Sequence, residues 1–268
     1  MTNPIDNSEW PLNTIMVSKK HRVLFTPIAK NACTSLKRLF VKLSDHPDTE
    51  RILKQDIHSC LAKGGTGLVL SDFSASEATE IMSDDSYYHF AVLRNPLERS
   101  VSAYLNKFVV VPPPRGPDGA PVDVAGVVDW VYAQRGEKPD YDRAITYTEF
   151  VEACVNSDDD HLDTHFRSQQ SFLRRQKLDG LFSVEKMALL KPVLESKYGR
   201  PVELEHENIR KKRKILLRRA RYEQLLPGEL EKHRPLPQGG VFLTTKISKK
   251  LKHRFKGDIS LWESTRGF

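Results

Sequence analysis

The feature that most constrains the fold is an apolar run that passes directly into a capped helix. Residues 87–93, YYHFAVL, form a continuous apolar stretch, which is typical of a strand buried on both faces of a parallel sheet. Asn95 suits a helix N-cap and Pro96 the first helical position. A helical apolar period then extends to Phe108. A buried strand followed at once by a helix predicts a mostly parallel α/β architecture.

A second strand, turn and helix lie nearer the N-terminus. Residues 21–28, HRVLFTPI, predict a short buried strand, and the polar turn KNACTS leads into an amphipathic helix that starts near Ser35. Helix N-termini at the carboxyl ends of parallel strands bind anions. Each turn carries a cation, Lys30 in the first and Arg94 in the second. The sequence therefore predicts two phosphate-sized sites and a ligand with two separated anionic groups.

The remaining elements alternate in the same way and predict helices on both faces of the sheet. We expect further strands at 68–73 and 179–185, and helices at 74–82, 124–135, 148–156, 186–199 and from Thr244 onward. Residues 111–123 predict a surface loop. We interpret residues 1–268 as one domain with an N-terminal extension (1–20), a variable insert (109–145) and a C-terminal loop and docking tail (227–268).

The positive charge of the chain is concentrated in one segment. The net charge is +7 over 268 residues, and residues 210–221, RKKRKILLRRAR, carry eight of the Lys and Arg residues and no acid. Without this segment the net charge would be −1. Such a patch suits phosphates, sulfates, nucleic acid or an anionic membrane surface, although a solvated helix face is its more common role.

The start of the chain and its cysteines predict a cytoplasmic protein. No apolar run approaches the roughly 20 residues of a membrane span, and MTNPIDNSEWPLN is not typical of a secretory signal. Three cysteines without a CxxC pair fit a reducing compartment. Cys33 is interpreted as a small residue of a tight turn, not as a nucleophile.

The GxxxxGK[ST] motif matches nowhere in the chain, which disfavours an ordinary ATPase, GTPase or small kinase. The segments PIAKNACTSLKRLF (27–40) and FAVLRNPLERSVSAYLNKF (90–108) instead resemble the paired motifs of carbohydrate sulfotransferases, the group that includes chondroitin and dermatan 4-O-sulfotransferases. Weaker similarity covers IHSCL, HFRSQQ, DGLFSVEKM and HENI. The chain departs from the family pattern at Ala29, where proline is usual, and at Ala32, where glycine is usual.

The resemblance implies a P-loop-like three-layer sandwich and 3′-phosphoadenosine 5′-phosphosulfate as sulfuryl donor. The first turn would bind the 5′-phosphosulfate, with Lys30 also stabilising the leaving bisphosphate. Arg94 and Ser102 would bind the 3′-phosphate. The residues implied for the first turn are Lys30, Asn31, Ala32, Cys33, Thr34 and Ser35. The acceptor would be a carbohydrate or another hydroxylated molecule, and no metal is expected. A soluble, bacterial-type relative is the simplest interpretation.

The general base is assigned among histidines, whose pKa suits proton transfer near neutral pH. His58 is the first candidate, because resembling sulfotransferases often carry a histidine between the two motifs. His165 is the second, and His89 is expected inside a strand. His165 and Arg167 are candidate acceptor-binding residues. The HLDTH segment (161–165) could mimic a metal site, but a solvated loop is the favoured interpretation.

The competing hypothesis is a non-catalytic nucleic-acid or anionic-polymer binder that uses residues 210–221. Nucleic-acid binders spread cations and stacking aromatics over a face, whereas this chain confines its excess charge to one segment, so we expect no nucleic-acid partner. Contact with an anionic membrane surface is left open. The identity of the acceptor and the oligomeric state are not predicted.

Overall fold

The computed structural model describes residues 5–111, 113–174, 176–204, 221–237 and 239–266. The chain divides into two compact units. Unit 1 comprises Met1–Arg94, Gln169–Ile209 and Trp262–Phe268, and unit 2 comprises Asn95–Ser168 and Arg210–Leu261. The interpretation as one domain stays a prediction. Nearly all of the predicted basic segment, and the HENI segment, lie outside the described residues.

Unit 1 is built on a four-stranded sheet in the order β1-β2-β3-β4. The strands are β1 (Met16–Ser18), β2 (Val23–Thr26), β3 (Tyr88–Leu93) and β4 (Gly180–Ser183). β2, β3 and β4 pair in parallel, with Thr26 opposite Ala91 and Leu93 opposite Ser183, and β1 is antiparallel to β2. The predicted strands at 21–28, 87–93 and 179–185 are therefore confirmed. β1 lies within the predicted N-terminal extension, so part of that segment belongs to the sheet.

Helices lie at most of the predicted positions, whereas the short helices at 49–53, 57–62, 169–172 and 227–230 of the described residues were not predicted. The α-helices of the described residues are α1 (Cys33–Leu43), α2 (Thr49–Leu53), α3 (Ile57–Ala62), α4 (Ala75–Ser83), α5 (Pro96–Tyr104), α6 (Ala125–Arg135), α7 (Tyr147–Val155), α8 (Gln169–Phe172), α9 (Leu190–Tyr198), α10 (Pro227–Leu230), α11 (Thr245–Arg254) and α12 (Lys256–Ser264). The Ser74 and Thr244 side chains cap α4 and α11. None of the helices in the described ranges is long and apolar enough to span a membrane.

Shorter helical turns connect these elements. The 3-10 turns are Leu12–Thr14, Leu70–Asp72, Asp159–His161, Val184–Leu189, Tyr222–Gln224 and Gly239–Val241, and Leu105–Val110 is a π-helix that extends α5. The strand predicted at 68–73 was wrong, because Leu70–Asp72 closes as a 3-10 turn and only Val69 bridges to Met16. The helix predicted over 186–199 begins only at Leu190, and the final helix is broken at Phe255.

Alternating side chains of the sheet enter two apolar clusters in unit 1. Val23 and Phe25 of β2 pack with α1 residues such as Phe40, whereas Leu24 packs with Ile81 of α4. The sheet is thus covered on both faces, as continuous apolar strands require. The predicted fold class, a mostly parallel α/β sheet flanked by helices, is confirmed.

Unit 2 is helical and has its own core around α5, α6 and α7. Tyr104, Tyr147 and Phe150 are buried in it, and their rings contact one another with centroids 5.2–6.0 Å apart. α6 belongs to this core through buried residues such as Val128. The predicted insert at 109–145 therefore contributes core as well as loop.

Candidate functional site

The two cationic turns of the sequence lie side by side in unit 1. β2 and β3 are parallel neighbours, so their carboxyl ends meet at one edge of the sheet. The Arg94 guanidinium donates from Nη1 to the Lys30 carbonyl oxygen at 3.2 Å. This contact fixes the Arg94 side chain across the first turn. The structure thus brings together the two turns that the sequence predicted as anion sites.

A buried glutamine connects the same two turns. The Gln169 side chain is fully buried. Its Oε1 accepts from the Arg94 backbone N–H at 3.0 Å and from Asn31 Nδ2 at 2.6 Å, and its Nε2 donates to the Arg94 carbonyl at 2.9 Å. Gln169 was not among the predicted site residues, although it lies in the HFRSQQ segment (165–170), whose similarity to the family was the one signal for it.

The first turn has the backbone of an anion cradle. Lys30 and Ala32 adopt positive φ values of 71° and 57°, and residues in this region can form nests that bind anions through backbone N–H groups. The Asn31 N–H between them donates to the Ile28 carbonyl at 3.2 Å. Ala32 precedes α1, and no side chain caps that helix. The first N–H groups of a helix lack partners within it and attract negative charge. Cys33, a free thiol, is the first residue of α1.

The buried Asn31 holds this turn against the sheet. It is 1% exposed, and its Nδ2 also donates to the Val92 carbonyl of β3 at 2.9 Å. The cradle is therefore fixed to the neighbouring strand. Ala32 occupies a left-handed position, which costs an alanine about 1–2 kcal/mol.

The second turn leads into α5. The Asn95 side chain accepts from the backbone N–H groups of Leu97 and Glu98 at 3.0 and 3.3 Å, so its predicted capping role is confirmed. Ser102 is a half-buried residue of α5 in unit 2, whereas Arg94 directly follows β3 and belongs to unit 1. Their predicted pairing on one phosphate stays a prediction.

His58 lies on α3 beside the first helix. Its Nε2 is 2.8 Å from Thr34 Oγ1, and its Nδ1 is 3.4 Å from Lys37 Nζ. Asp56 caps α3 by accepting from the Ser59 N–H at 2.8 Å. Burial lowers the pKa of the Lys37 ammonium, and the nearby charges of Cys33 and Asp56 offset only part of this. Lys37 was not among the predicted site residues, although it follows Thr34 by three residues in the first motif.

His89 has a structural place inside β3, as predicted. It is 3% exposed, and its Nε2 is 2.8 Å from Thr26 Oγ1. Burial lowers the pKa of His89 to about 4, which keeps the ring neutral at pH 7. Asp179 supports the same strand by accepting from the His89 backbone N–H.

His165 and Arg167 lie in unit 2. His165 Nδ1 is 2.6 Å from Asp163 Oδ1. Burial raises the pKa of Asp163, but the His165 hydrogen bond and charge outweigh it and hold that pKa below its usual value. Arg167 Nε donates to the Leu162 carbonyl at 2.7 Å, and the buried Arg99 donates to the Arg167 carbonyl at 2.6 Å. Arg167 is thus held by its backbone and its side chain.

One group of side chains in unit 2 could hold a metal ion. The ligand atoms of Asp123, Asp163 and His165 lie within 4.8 Å of one another, and Lys107 forms an ion pair with Asp123. His161 of the HLDTH segment is exposed and outside this group. The expectation that the chemistry needs no metal stays a prediction.

Both turns lie in a part of the chain that matches a known protein family. A family model described as the sulfotransferase family matches residues 13–190, which include both turns and Gln169. Carbohydrate sulfotransferase 10 of Xenopus laevis is 35% identical over 103 residues, 38% of this chain and 28% of that protein. Carbohydrate sulfotransferase 14 of Mus musculus is 29% identical over 164 residues, 61% of this chain and 40% of that protein.

The alignments therefore span less than half of the length of these two relatives. Carbohydrate sulfotransferase 11 of Rattus norvegicus is 34% identical over 101 residues, 36% of this chain and 27% of that protein. No solved structure gives a significant match.

Proposed function

This chain belongs to the sulfotransferase family, and from this premise we propose that it transfers a sulfuryl group from 3′-phosphoadenosine 5′-phosphosulfate to a carbohydrate hydroxyl. The observation that carries the proposal is the contact of Arg94 Nη1 with the Lys30 carbonyl at 3.2 Å. This contact places two cationic turns side by side at the carboxyl ends of β2 and β3. A donor with two separated anionic groups requires two such turns, one for each group.

The chemistry of the first turn fits the 5′ end of this donor. Lys30 and Ala32 have the positive φ of an anion nest, and α1 begins without a side-chain cap. Lys30 and the backbone N–H groups from Ala32 to Ser35 would hold the 5′-phosphosulfate, whereas the Asn31 N–H donates to the Ile28 carbonyl at 3.2 Å. Arg94 and Ser102 would select the 3′-phosphate that distinguishes the donor from ordinary adenine nucleotides.

The proposed reaction is an in-line substitution at sulfur. The bond from sulfur to the bridging phosphate oxygen breaks as the bond to the acceptor oxygen forms, which leaves a sulfate ester and adenosine 3′,5′-bisphosphate. Catalysis of such transfers comes mainly from positioning and charge stabilisation. Lys30 would stabilise the charge that develops on the bridging oxygen.

A base must take the acceptor proton, and the candidates are His58 and His165. His58 contacts Thr34 and Lys37, whereas His165 is held by Asp163. A carboxylate at Nδ1 orients a catalytic imidazole and fixes its tautomer. The pH–rate profiles of His58→Gln and His165→Gln distinguish the two.

A carbohydrate acceptor is supported by the names of the relatives, three carbohydrate sulfotransferases. His165 and Arg167 remain our candidates for acceptor binding. Family membership disfavours the alternative of a non-catalytic polymer binder that uses residues 210–221. We further propose a reducing, cytoplasmic compartment, because Cys33, Cys60 and Cys154 are all free thiols.

Sulfuryl transfer from labelled donor to a panel of desulfated and partly sulfated glycans tests the proposal. We expect the wild-type chain to label at least one glycan class and Lys30→Ala to lose about 10²–10³-fold of that rate, as for other groups that stabilise developing charge. Lys19→Ala is the matched control, since Lys19 is an exposed partner of Glu77. Equal rates for wild type and Lys30→Ala would contradict the role of Lys30.

A further inference from the structure

The His58 ring connects two side chains of α1. Its Nε2 is 2.8 Å from the Thr34 hydroxyl and its Nδ1 is 3.4 Å from the Lys37 ammonium. All three residues lie in unit 1. One imidazole ring therefore fixes the relative positions of a hydroxyl and a cation.

The donor and acceptor roles in this cluster follow from the chemistry of lysine. A protonated lysine can only donate, so Nδ1 of His58 accepts from Lys37. The neutral ring then carries its proton on Nε2 and donates it to Thr34 Oγ1. The Thr34 hydroxyl keeps its own proton for a further acceptor. In this arrangement the ring's lone pair faces an ammonium, so His58 is poorly placed to accept a substrate proton.

The cluster lies over the first turn of α1. Thr34 and Lys37 are three residues apart, which places them on one face of the helix. Long helical side chains lean toward the N-terminus, and here that end has no side-chain cap. The turn just before it has positive φ at Lys30 and Ala32, the backbone region from which anion-binding nests are built. A cation and a hydroxyl are therefore added to a backbone anion site.

The Lys37 ammonium also lacks full hydration. The side chain is half-buried, and burial lowers its pKa. The facing ionisable groups are His58 and Asp56 at α3 and Cys33 on α1. Asp56 is engaged by Ser59, and its pKa is lowered by that hydrogen bond. A partly desolvated cation gains more from an anion than a hydrated one, since the local dielectric is lower.

We propose that Lys37 is a second cation of the donor site, which binds the phosphate at the 5′ side of the nucleotide, and that His58 positions it together with Thr34. This inference rests on the proposed function. It assigns a binding role to a residue outside the predicted set, and it makes His58 a positioning residue and not the base.

A comparison of two nucleotides tests the assignment without any acceptor. Adenosine 3′,5′-bisphosphate carries both phosphates, whereas adenosine 3′-phosphate lacks the 5′ group. In calorimetric titration we expect Lys37→Met to weaken bisphosphate binding about 10–100-fold, the range for a charged hydrogen bond, and to leave adenosine 3′-phosphate binding unchanged. Lys37→Arg should retain most of the affinity.

Two variants complete the experiment. Lys42→Met removes the same charge from the last turn of α1, where the side chain is exposed, and should bind both nucleotides as wild type does. His58→Gln should weaken bisphosphate binding more than adenosine 3′-phosphate binding. Thermal melting of each variant checks that it is folded.

The outcomes separate this inference from the proposed function. Wild-type protein that binds neither nucleotide would contradict the donor site itself. If wild type binds both, then unchanged bisphosphate affinity in Lys37→Met, or an equal loss for both nucleotides, would overturn the role of Lys37. Normal bisphosphate binding in His58→Gln would overturn the positioning role of His58.

Discussion

The side-chain amide of Gln169 binds the backbone of Arg94 through both of its polar atoms. Oε1 accepts from the Arg94 N–H at 3.0 Å, and Nε2 donates to the Arg94 carbonyl at 2.9 Å. The same Oε1 accepts from Asn31 of the first turn at 2.6 Å. One buried residue therefore connects the first turn to the backbone of Arg94.

Gln169→Ala removes this connection and is expected to weaken both the fold and the site. The Arg94 backbone N–H and carbonyl and the Asn31 side-chain amide lose the Gln169 side chain as a hydrogen-bond partner, and a polar group left unsatisfied away from water costs about 1–3 kcal/mol. We expect urea denaturation to show a drop of that order in the free energy of unfolding, with weaker binding of adenosine 3′,5′-bisphosphate. Gln170→Ala, at the exposed neighbouring position, is the control. A Gln169→Ala protein with wild-type stability and affinity would show that the connection is unimportant.

Replacing alanine by glycine should affect stability differently at Ala32, which is left-handed, and at Ala133, which is helical. Ala32 has a φ of 57°, so Ala32→Gly relieves strain of about 1–2 kcal/mol while adding unfolded-state entropy of about 0.4–1 kcal/mol. We expect equal or greater stability in denaturant unfolding. Ala133→Gly in the exposed part of α6 should instead cost about 0.5–1 kcal/mol. Similar losses at both positions would contradict strain at Ala32.

The buried His89 should make stability depend on pH. Its pKa is lowered from 6.5 to about 4 by burial, so between these values the unfolded chain binds more protons than the folded one. Stability is then full above pH 6.5 and falls as the pH decreases toward 4, by up to about 3 kcal/mol.

Urea denaturation at pH 7.5 and pH 5 measures this effect in wild type and in His89→Gln. The variant should lose the His89 share of the pH dependence, although it also loses the contact with Thr26. His253→Gln, at an exposed position of α11, should keep the wild-type dependence. If the free energy of unfolding changes equally between pH 7.5 and pH 5 in His89→Gln and in wild type, the burial of a neutral His89 ring would be contradicted.

The pH–rate profile should identify the base as His165. Asp163 holds Nδ1 at 2.6 Å, which in the neutral ring leaves the Nε2 lone pair to accept a proton. We expect His165→Gln to lower kcat about 10²–10⁴-fold and to remove the acid limb of the profile. His161→Gln is the control, and loss of the acid limb in His58→Gln instead would assign the base to His58.

The sequence predicted the elements that carry strong local signals. The strand ending at Leu93, the Asn95 cap and the amphipathic α1 follow from apolar period and capping chemistry, and they are where the pattern placed them. The segment at 68–73 was wrong because its short apolar run closes as a turn with one bridge to Met16. The local sequence pattern does not determine whether such a short apolar run forms a strand or a turn.

The cationic residues of the site could be predicted from the sequence, but the side-chain contacts that hold them in place could not. Lys30 and Arg94 stand at strand ends, a position that sequence reveals. Gln169 and Lys37 act through contacts with residues 75 and 21 positions away in the chain. Contacts at such separations depend on the fold, so no periodicity or spacing could indicate them.

The measurement that tests the central claim most directly is nucleotide-dependent thermal stability. A ligand present at 100 times its Kd stabilises the folded state by about 2.7 kcal/mol. We predict that adenosine 3′,5′-bisphosphate raises the melting temperature while ADP and AMP have little effect, and that Arg94→Ala abolishes this difference. An equal shift with ADP, or no shift with the bisphosphate, would contradict a donor site that recognises the 3′-phosphate.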